Sequence, residues 1–420
     1  MRDVFHPSKS MPVPLGRLGY PLAVLAVLIL FLFPVKNWFA QEGLRWLYIA
    51  LFSFLISFLL VRPTRAVARR QGIMDVPDGR KLHREPTPLL GGVAIYLAFV
   101  VSLLVNSILT PAVWGLVIAG TAVVVISVID DVRPLPASLK LGILILAAGI
   151  VIASGTSLTL FPTRVLWGQV LNIVLTILWI VGITSAMNFF DGMDGLAAGL
   201  AAITSLFLGI IAFQSEQVFF GLMAAALMGS TLGFLPYNFR PGKRATIFLG
   251  DAGSHFLGFM LASLAVMGEW AEHDVVNLAA PLLIFGVFIY DMLYITVERV
   301  ALGKVKNVRE WIEYVGRDHL HHRMEKVLGR KEYAALFVYA LSLTLGLGAT
   351  VLLMASPPAA FLLIFQAVVI LLVVTILERR ARNGVPSSTG LAGPDEHTRQ
   401  LVQTGSAAKA EHTIQESFRR

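Results

Sequence analysis

Long apolar runs separated by short polar links set the rhythm of this chain. A helix that crosses a bilayer core needs about 20 apolar residues. On that measure, spans are expected to begin at roughly residues 19, 47, 90, 112, 139, 168, 195, 218, 254, 278, 334 and 358. Backbone groups in lipid must be satisfied within their own segment, so such runs are read as helices. The fold class this predicts is all-α: a polytopic transmembrane helix bundle of about 11–12 spans. After Glu378 the pattern stops. "RRAR" follows, then a Gly/Ser/Thr-rich segment read as a basic anchor and a disordered tail.

Composition narrows the class. Of 420 residues, 56% are hydrophobic and only 14% charged, against roughly 25% charged in a soluble domain. The mean hydropathy is +0.74. No cysteine is present, which excludes disulfides, thiolate zinc sites and thiol nucleophiles. The first apolar run ends in "LFLFPVKNWF" without a small-residue cleavage site, so no cleavable signal peptide is expected. No soluble domain and no strong internal repeat is evident. The expected organisation is an extra N-terminal transmembrane segment over roughly residues 1–46, an integral-membrane domain over 47–380 and a cytoplasmic tail over 381–420.

The formal charge of +8 is informative through its placement. "VRPTRAVARRQGIMDVPDGRKLHRE" carries Arg62, Arg65, Arg69, Arg70, Arg80, Lys81 and Arg84, and the positive-inside rule puts it in the cytoplasm. Alternation from there places residues 130–139, 191–194, 237–253, 299–333 and both termini on the same side. The acidic or weakly charged links "QSEQ", "GEWAEHD" and "ASPP" fall on the other.

Five polar clusters then share the cytoplasmic ends of spans: "DVPDGRKLHREPTPLLGG", "VIDDVRPLPASLK", "NFFDGMDGL", "YNFRPGKRATIFLGDAGS" and "GRDHLHHRM". Asp130 and Asp131 end an apolar helix. Neighbouring helical positions point about 100° apart, so one can bind a metal while the other orients a neighbour. Negative charge at a helix C-terminus opposes the macrodipole and asks for a cation; a solvated acidic cap is the plainer reading. Asn188, Asp191 and Asp194 would fall within about 120° of arc on a helix, yet alone they read equally well as a turn. Arg240, Lys243 and Arg244 precede Asp251, where backbone N–H groups at a helix start suit phosphate, although Asp251 and Ser254 are also ordinary N-caps. His319, His321 and His322, flanked by Arg317 and Arg323, favour an anion over a cation. Carboxylates for a divalent ion beside cations for anionic oxygens suit phosphoryl transfer.

In this order, "DVPDGRKLH", "DD", "NFFDGMDGL", "FLGDAGS" and "DHLHHR" resemble the polyprenyl-phosphate N-acetylhexosamine-1-phosphate transferases, glycosyltransferase family 4, over about residues 60–325. "DHLHHR" is closer to the WecA/TagO type than to the phospho-MurNAc-pentapeptide transferases. The resemblance implies transfer of GlcNAc-1-phosphate, or a related N-acetylhexosamine-1-phosphate, from a UDP-sugar to undecaprenyl phosphate, with UMP released. It implies Mg²⁺, with Mn²⁺ as a substitute, held by Asp251 and Asp191. Asp130, Asp131 and His321 would be catalytic. Arg80, Lys81, His83, Lys140, Asn188, Asp191, Asp194, Asn238, Phe248, His319, His322 and Arg323 would bind substrate, with Phe248 stacked on uracil. The implied partners are the UDP-N-acetylhexosamine, undecaprenyl phosphate and membrane lipid, with a homodimer as one assembly state and no nucleic acid. The implied location is the bacterial inner membrane. Two departures stand out: "LGILIL" after Lys140 offers no Gln where the family has one, and the first hydrophobic segment is extra.

A phosphate monoester has a second pKa near 6, so the acceptor is largely dianionic and needs little help from a base. One-step in-line attack is expected, with Asp130 orienting or deprotonating the lipid phosphate; the rival is a two-step route through an aspartyl-phosphate. A secondary transporter would instead put ionisable residues near the bilayer midplane and show inverted repeats. The polar clusters at span ends argue for the enzyme.

Overall fold

The structure, a computed structural model, describes residues 19–76, 85–270, 274–314 and 316–384. Helices in chain order are α1 (Gly19–Leu30), α2 (Phe33–Gln41), α3 (Arg45–Gln71), α4 (Gly91–Val105), α5 (Pro111–Val132), α6 (Ala137–Ala153), α7 (Leu166–Phe190) and α8 (Leu196–Gln214). They continue as α9 (Val218–Asn238), α10 (Gly250–Met267), α11 (Asp274–Ile284), α12 (Gly286–Ala301), α13 (Val308–Glu313), α14 (Leu320–Leu328), α15 (Lys331–Leu352) and α16 (Pro357–Gly384). Two strands, β1 (Met74–Asp75) and β2 (Thr87–Pro88), pair antiparallel across the link between α3 and α4. The protein is an all-α, polytopic membrane protein.

Each of the twelve expected spans falls on a helix or a bent helix pair. Among the described residues, seven helices are long and apolar enough to cross a membrane singly, and nine spans result if each bent pair counts as one. The bent pairs are α1–α2, at 72°, and α11–α12, at 75°. α4 and α6 are apolar but only 15 and 17 residues long. α10 differs in kind: from Ala252 to Val266 every residue is buried, so this helix lies inside protein, packed by α4, α5, α7 and α8.

The chain divides into two compact units, Met1–Leu371 and Leu372–Arg420. Of the second, the structure describes only the last turns of α16. In the first, helix ends follow local chemistry. α5 starts at Pro111, whose fixed φ suits a first helical position, and the Thr110 side chain accepts a hydrogen bond from the Val113 N–H. α3 stops at Gly72, which adopts the left-handed conformation that closes a helix.

Backbone contact fixes the centre. Gly91 and Gly92 donate their N–H groups to the carbonyls of Phe248 and Leu249, at 3.0 and 2.9 Å. Phe248 in turn donates its N–H to Pro88. The start of α4 is thereby stitched to the segment that leads into α10. A Cβ on Gly92 would overlap the backbone of Gly253, so the two helices touch without intervening side chains.

Candidate functional site

The site gathers at the N-terminus of α10. Asp251 begins that helix, and its side chain keeps 34% of its surface exposed, so it is reachable from outside. Asn188, at the end of α7, donates from Nδ2 to Asp251 Oδ1 at 3.0 Å and to Ser254 Oγ at 2.9 Å. Lys140, near the start of α6, places Nζ 3.4 Å from Asp251 Oδ2 and 2.6 Å from Asp130 Oδ2. The acidic end of α5 thus has its compensating cation.

The two adjacent aspartates divide their labour. Asp130 is buried and accepts from Lys140 Nζ and from the Leu135 N–H, at 2.7 Å. Asp131 points to α10, where Oδ1 and Oδ2 accept from the N–H groups of Asp251 and Ala252 at 2.9 and 3.2 Å. It therefore caps α10 from another helix. The helix-start N–H groups that sequence reasoning offered to phosphate are occupied by this carboxylate. Gly250 makes the approach feasible: its φ is +75°, and a Cβ there would sit 2.8 Å from Asp131 Oδ2.

The "NFFDGMDG" turn forms the adjoining wall. Asp191 follows α7, is half-buried, and its carboxyl is held well above the usual range by burial first, then by the negative charges of Asp251 and Asp131. Gly192 sits against the histidines, with His321 Nε2 2.9 Å from where its Cβ would be. Asp194 accepts from the Ala245 N–H at 3.2 Å through Oδ2, which tethers the basic loop. Asn238 is buried and engages backbone with both ends of its amide, accepting from Gly195 N–H at 2.7 Å and donating to Ile247 at 3.0 Å. Phe248 is half-buried beside this loop.

The histidines arrive on α14. His319 is buried, stacks on Phe189 at 4.8 Å and shares a 2.7 Å hydrogen bond between Nδ1 and Asp291 Oδ2. His321 is fully buried, and among the described residues neither ring nitrogen has a hydrogen-bond partner. Burial, then the charges of His322, His319 and Arg323, push its pKa well below the usual histidine value. His322 is pushed to about 4 by burial, then by His319 and Arg317. Both rings are neutral at pH 7, able to accept a proton or a hydrogen bond. Arg323 is buried, donates to the Asp318 carbonyl at 2.9 Å and lies 3.8 Å over the Tyr294 ring, so it braces the loop from within. Arg80, Lys81 and His83 lie outside the described residues.

Sequence reasoning missed several residues. Asp291 and Arg299 sit on α12; Arg299 holds Asp318 through two hydrogen bonds of 2.8 and 2.7 Å. Burial alone would raise the Asp318 pKa, but Arg299 outweighs it and the net shift is downward. His255 is buried one turn after Asp251 and shares a 3.2 Å hydrogen bond with Ser127. His255, Ser127 and Lys140 are the polar members of a small cavity otherwise lined by Val123, Ile126, Ile143 and Leu144. Asp291 and Arg299 were at least visible as ionisable residues in a span, the feature that marks function in membranes.

The donor chemistry suits a hard cation. Among the described residues no three His, Asp or Glu side chains form a ready-made metal cage. Mg²⁺ does not need one, because it commonly uses one or two carboxylates and takes its other ligands from water and substrate phosphate. Asp251 and Asp191, close enough for the charge on Asp251 to raise the Asp191 pKa, could fill that role, and a bound cation would favour the ionised form of both.

Removing the free space at Gly192 should show how closely the histidines must approach. Gly192→Ala is expected to displace His321 by a few tenths of an ångström or more and to lower turnover about tenfold, since misplacement near 1 Å can cost about 100-fold. Unchanged steady-state rates in Gly192→Ala would show that this contact is dispensable.

Residues 113–269 match the family model described as glycosyl transferase family 4. A Bacillus subtilis (strain 168) protein named a probable undecaprenyl-phosphate N-acetylglucosaminyl 1-phosphate transferase is 30% identical over 322 residues, covering 75% of this chain and 87% of the relative. The decaprenyl-phosphate N-acetylglucosaminephosphotransferase of Mycobacterium tuberculosis (strain H37Rv) is 30% identical over 323 residues, covering 69% and 78%. A phospho-N-acetylmuramoyl-pentapeptide-transferase of Thermodesulfovibrio yellowstonii is also 30% identical, over 316 residues, covering 65% and 82%.

Proposed function

The chain belongs to glycosyl transferase family 4, the polyprenyl-phosphate N-acetylhexosamine-1-phosphate transferases, and from that premise we propose that it transfers GlcNAc-1-phosphate from UDP-GlcNAc to undecaprenyl phosphate. The observation that carries the reading is the convergence of Asn188, Lys140 and Asp130 on Asp251, with neutral histidines on the adjoining wall. GlcNAc is favoured over a MurNAc-pentapeptide substrate by the histidine motif "DHLHHR" and by the activities for which the Bacillus and Mycobacterium relatives are named. The product initiates a lipid-linked glycan of the cell envelope. The positive-inside distribution supports a cytoplasmic site and cytoplasmic termini in a bacterial inner membrane.

The chemistry balances simply. An oxygen of the lipid phosphate attacks the phosphorus that bears the sugar. The bond from that phosphorus to the bridging oxygen breaks, and UMP departs with the electron pair. Two anions must approach, so the protein's task is positioning and charge neutralisation. Lys140, held by Asp130, presents an ammonium beside Asp251. Mg²⁺ on Asp251 and Asp191 would neutralise charge growing on the leaving phosphate. Asn188 orients Asp251.

One-step displacement is favoured over an aspartyl-phosphate route. Both oxygens of Asp130 and both of Asp131 already accept hydrogen bonds, from Lys140 and Leu135 or from Asp251 and Ala252. A carboxylate so engaged is a poor nucleophile, and Asp130 is placed to orient Lys140. The test uses purified protein, Mg²⁺, radiolabelled UDP-GlcNAc and undecaprenyl phosphate. Label is expected in the extracted lipid, with no label when Mg²⁺ is chelated. Absence of lipid label from any UDP-N-acetylhexosamine would refute the assignment. UMP release without acceptor, with label left on protein, would refute the single step.

A further inference from the structure

α12 carries an acid at a position where an acid is costly. Asp291 lies in an apolar helix, has none of its surface exposed, and belongs to a bent pair that can serve as a membrane span. A charge withdrawn from water in this way persists only where partners repay its desolvation. Among the described residues, its polar partners come from one short segment 28 to 32 residues further along the chain. Oδ2 faces His319 Nδ1 at 2.7 Å, Oδ1 accepts from the Leu320 N–H at 2.6 Å, and Arg323 Nη2 stands 3.6 Å away.

These contacts do two things. Leu320 is the first residue of α14, and His319, its N-cap, contributes no capping bond of its own. Asp291 supplies the missing cap from a different helix, which fixes where α14 begins. A carboxylate can only accept, so the proton on the facing ring nitrogen belongs to Nδ1 and the lone pair of a neutral ring to Nε2. Phe189, stacked on the same ring at 4.8 Å, limits its rotation. Arg299 and Asp318 brace the segment just upstream.

We infer that Asp291 is a positioning residue for the transfer reaction: its buried carboxylate caps the histidine helix and holds His319 as the Nδ1–H tautomer, which leaves the Nε2 lone pair to accept a hydrogen bond from a hydroxyl or amide N–H of the substrate sugar. The inference rests on the proposed sugar-1-phosphate transfer for its kinetic consequence, and on the Asp291–His319 contact alone for its structural one. Among the described residues, His321 has no such counterpart, with no partner on either nitrogen. Two histidines two residues apart are thus given different tasks by their surroundings.

Asp291→Asn separates this role from simple packing. The amide oxygen still accepts from Leu320, but its NH₂ now faces Nδ1 and favours the opposite tautomer. In ¹⁵N-histidine-labelled protein, long-range ¹H–¹⁵N correlation spectra should show His319, identified by its loss in His319→Gln, protonated on Nδ1 in the wild type and on Nε2 in Asp291→Asn. The kcat of Asp291→Asn should fall between about 10-fold and 100-fold, as for other groups that orient a reacting residue, with KM little changed. Asp291→Glu, which restores a carboxylate, should recover part of the loss. A wild-type ring protonated on Nε2, an unchanged tautomer in Asp291→Asn, or full activity with the tautomer reversed would overturn the inference. If the wild type transfers no sugar-phosphate at all, the functional reading fails, while the spectra still decide whether Asp291 sets the tautomer.

Discussion

Replacing Asp251 with alanine is expected to lower lipid-linked product formation by about 10³-fold or more, a barrier increase of about 4 kcal/mol. The side chain stands where Asn188 and Lys140 converge, and it is the most accessible carboxylate bonded to both. Its loss removes the proposed cation ligand and leaves the Lys140 ammonium paired with Asp130 alone. The fold should survive, because Asp131 holds α10 through backbone N–H groups that alanine retains. Single-turnover transfer of label to lipid measures the effect. Asp251→Asn, which keeps an acceptor for Asn188 but no charge, should be almost as slow. Substantial turnover in either variant, at an unchanged melting temperature, would remove Asp251 from the centre of the reaction.

The second large effect is expected from a residue with no side chain, whose N–H bonds the Leu249 carbonyl. In Gly92→Ala the new methyl group would overlap Cα and N of Gly253. Backbone atoms cannot rotate aside, so α4 and α10 must separate. Overpacking of this kind costs about 1–3 kcal/mol, and more when neither side can yield. The displaced atoms lie two residues from Asp251, so activity should fall with stability, by about 100-fold for a shift near 1 Å. Thermal unfolding in detergent, together with the transfer rate, reports both. Gly149→Ala on α6, where a Cβ would meet nothing within 4 Å, should change neither. If Gly92→Ala kept wild-type rate and stability, close helix contact could not be what places Asp251.

Hydrophobic periodicity made the architecture legible because spans need a fixed length of apolar sequence. Each of the twelve expected starts meets a helix, yet α4 and α6 are short, and α10 is buried in protein rather than facing lipid. Apolar composition cannot tell these environments apart. In the site, the wish of an acidic helix end for a cation pointed correctly to a partner, and Lys140 supplies it. That one of Asp130 and Asp131 would orient a neighbour was anticipated, but not that Asp131 would cap α10. Roles such as those of Asn238 and Asp194 depend on which backbone group lies opposite, which sequence spacing does not carry. Asp291 was hidden for the same reason, as a lone acid whose partners lie about one helical hairpin away.

The burial of α10 has a mechanical consequence. Thickness, tension and lipid composition act on a membrane protein through the helices that touch lipid. α10 touches other helices along nearly its whole length, and its leading end is clamped by Asp131 from α5 and by the backbone of α4. Forces arriving from the bilayer must first deform the surrounding helices, whose close-packed contacts yield little. The carboxylate on α10 is therefore decoupled from the changing solvent in which the rest of the molecule floats, much as an instrument mount isolates its sensor from the hull.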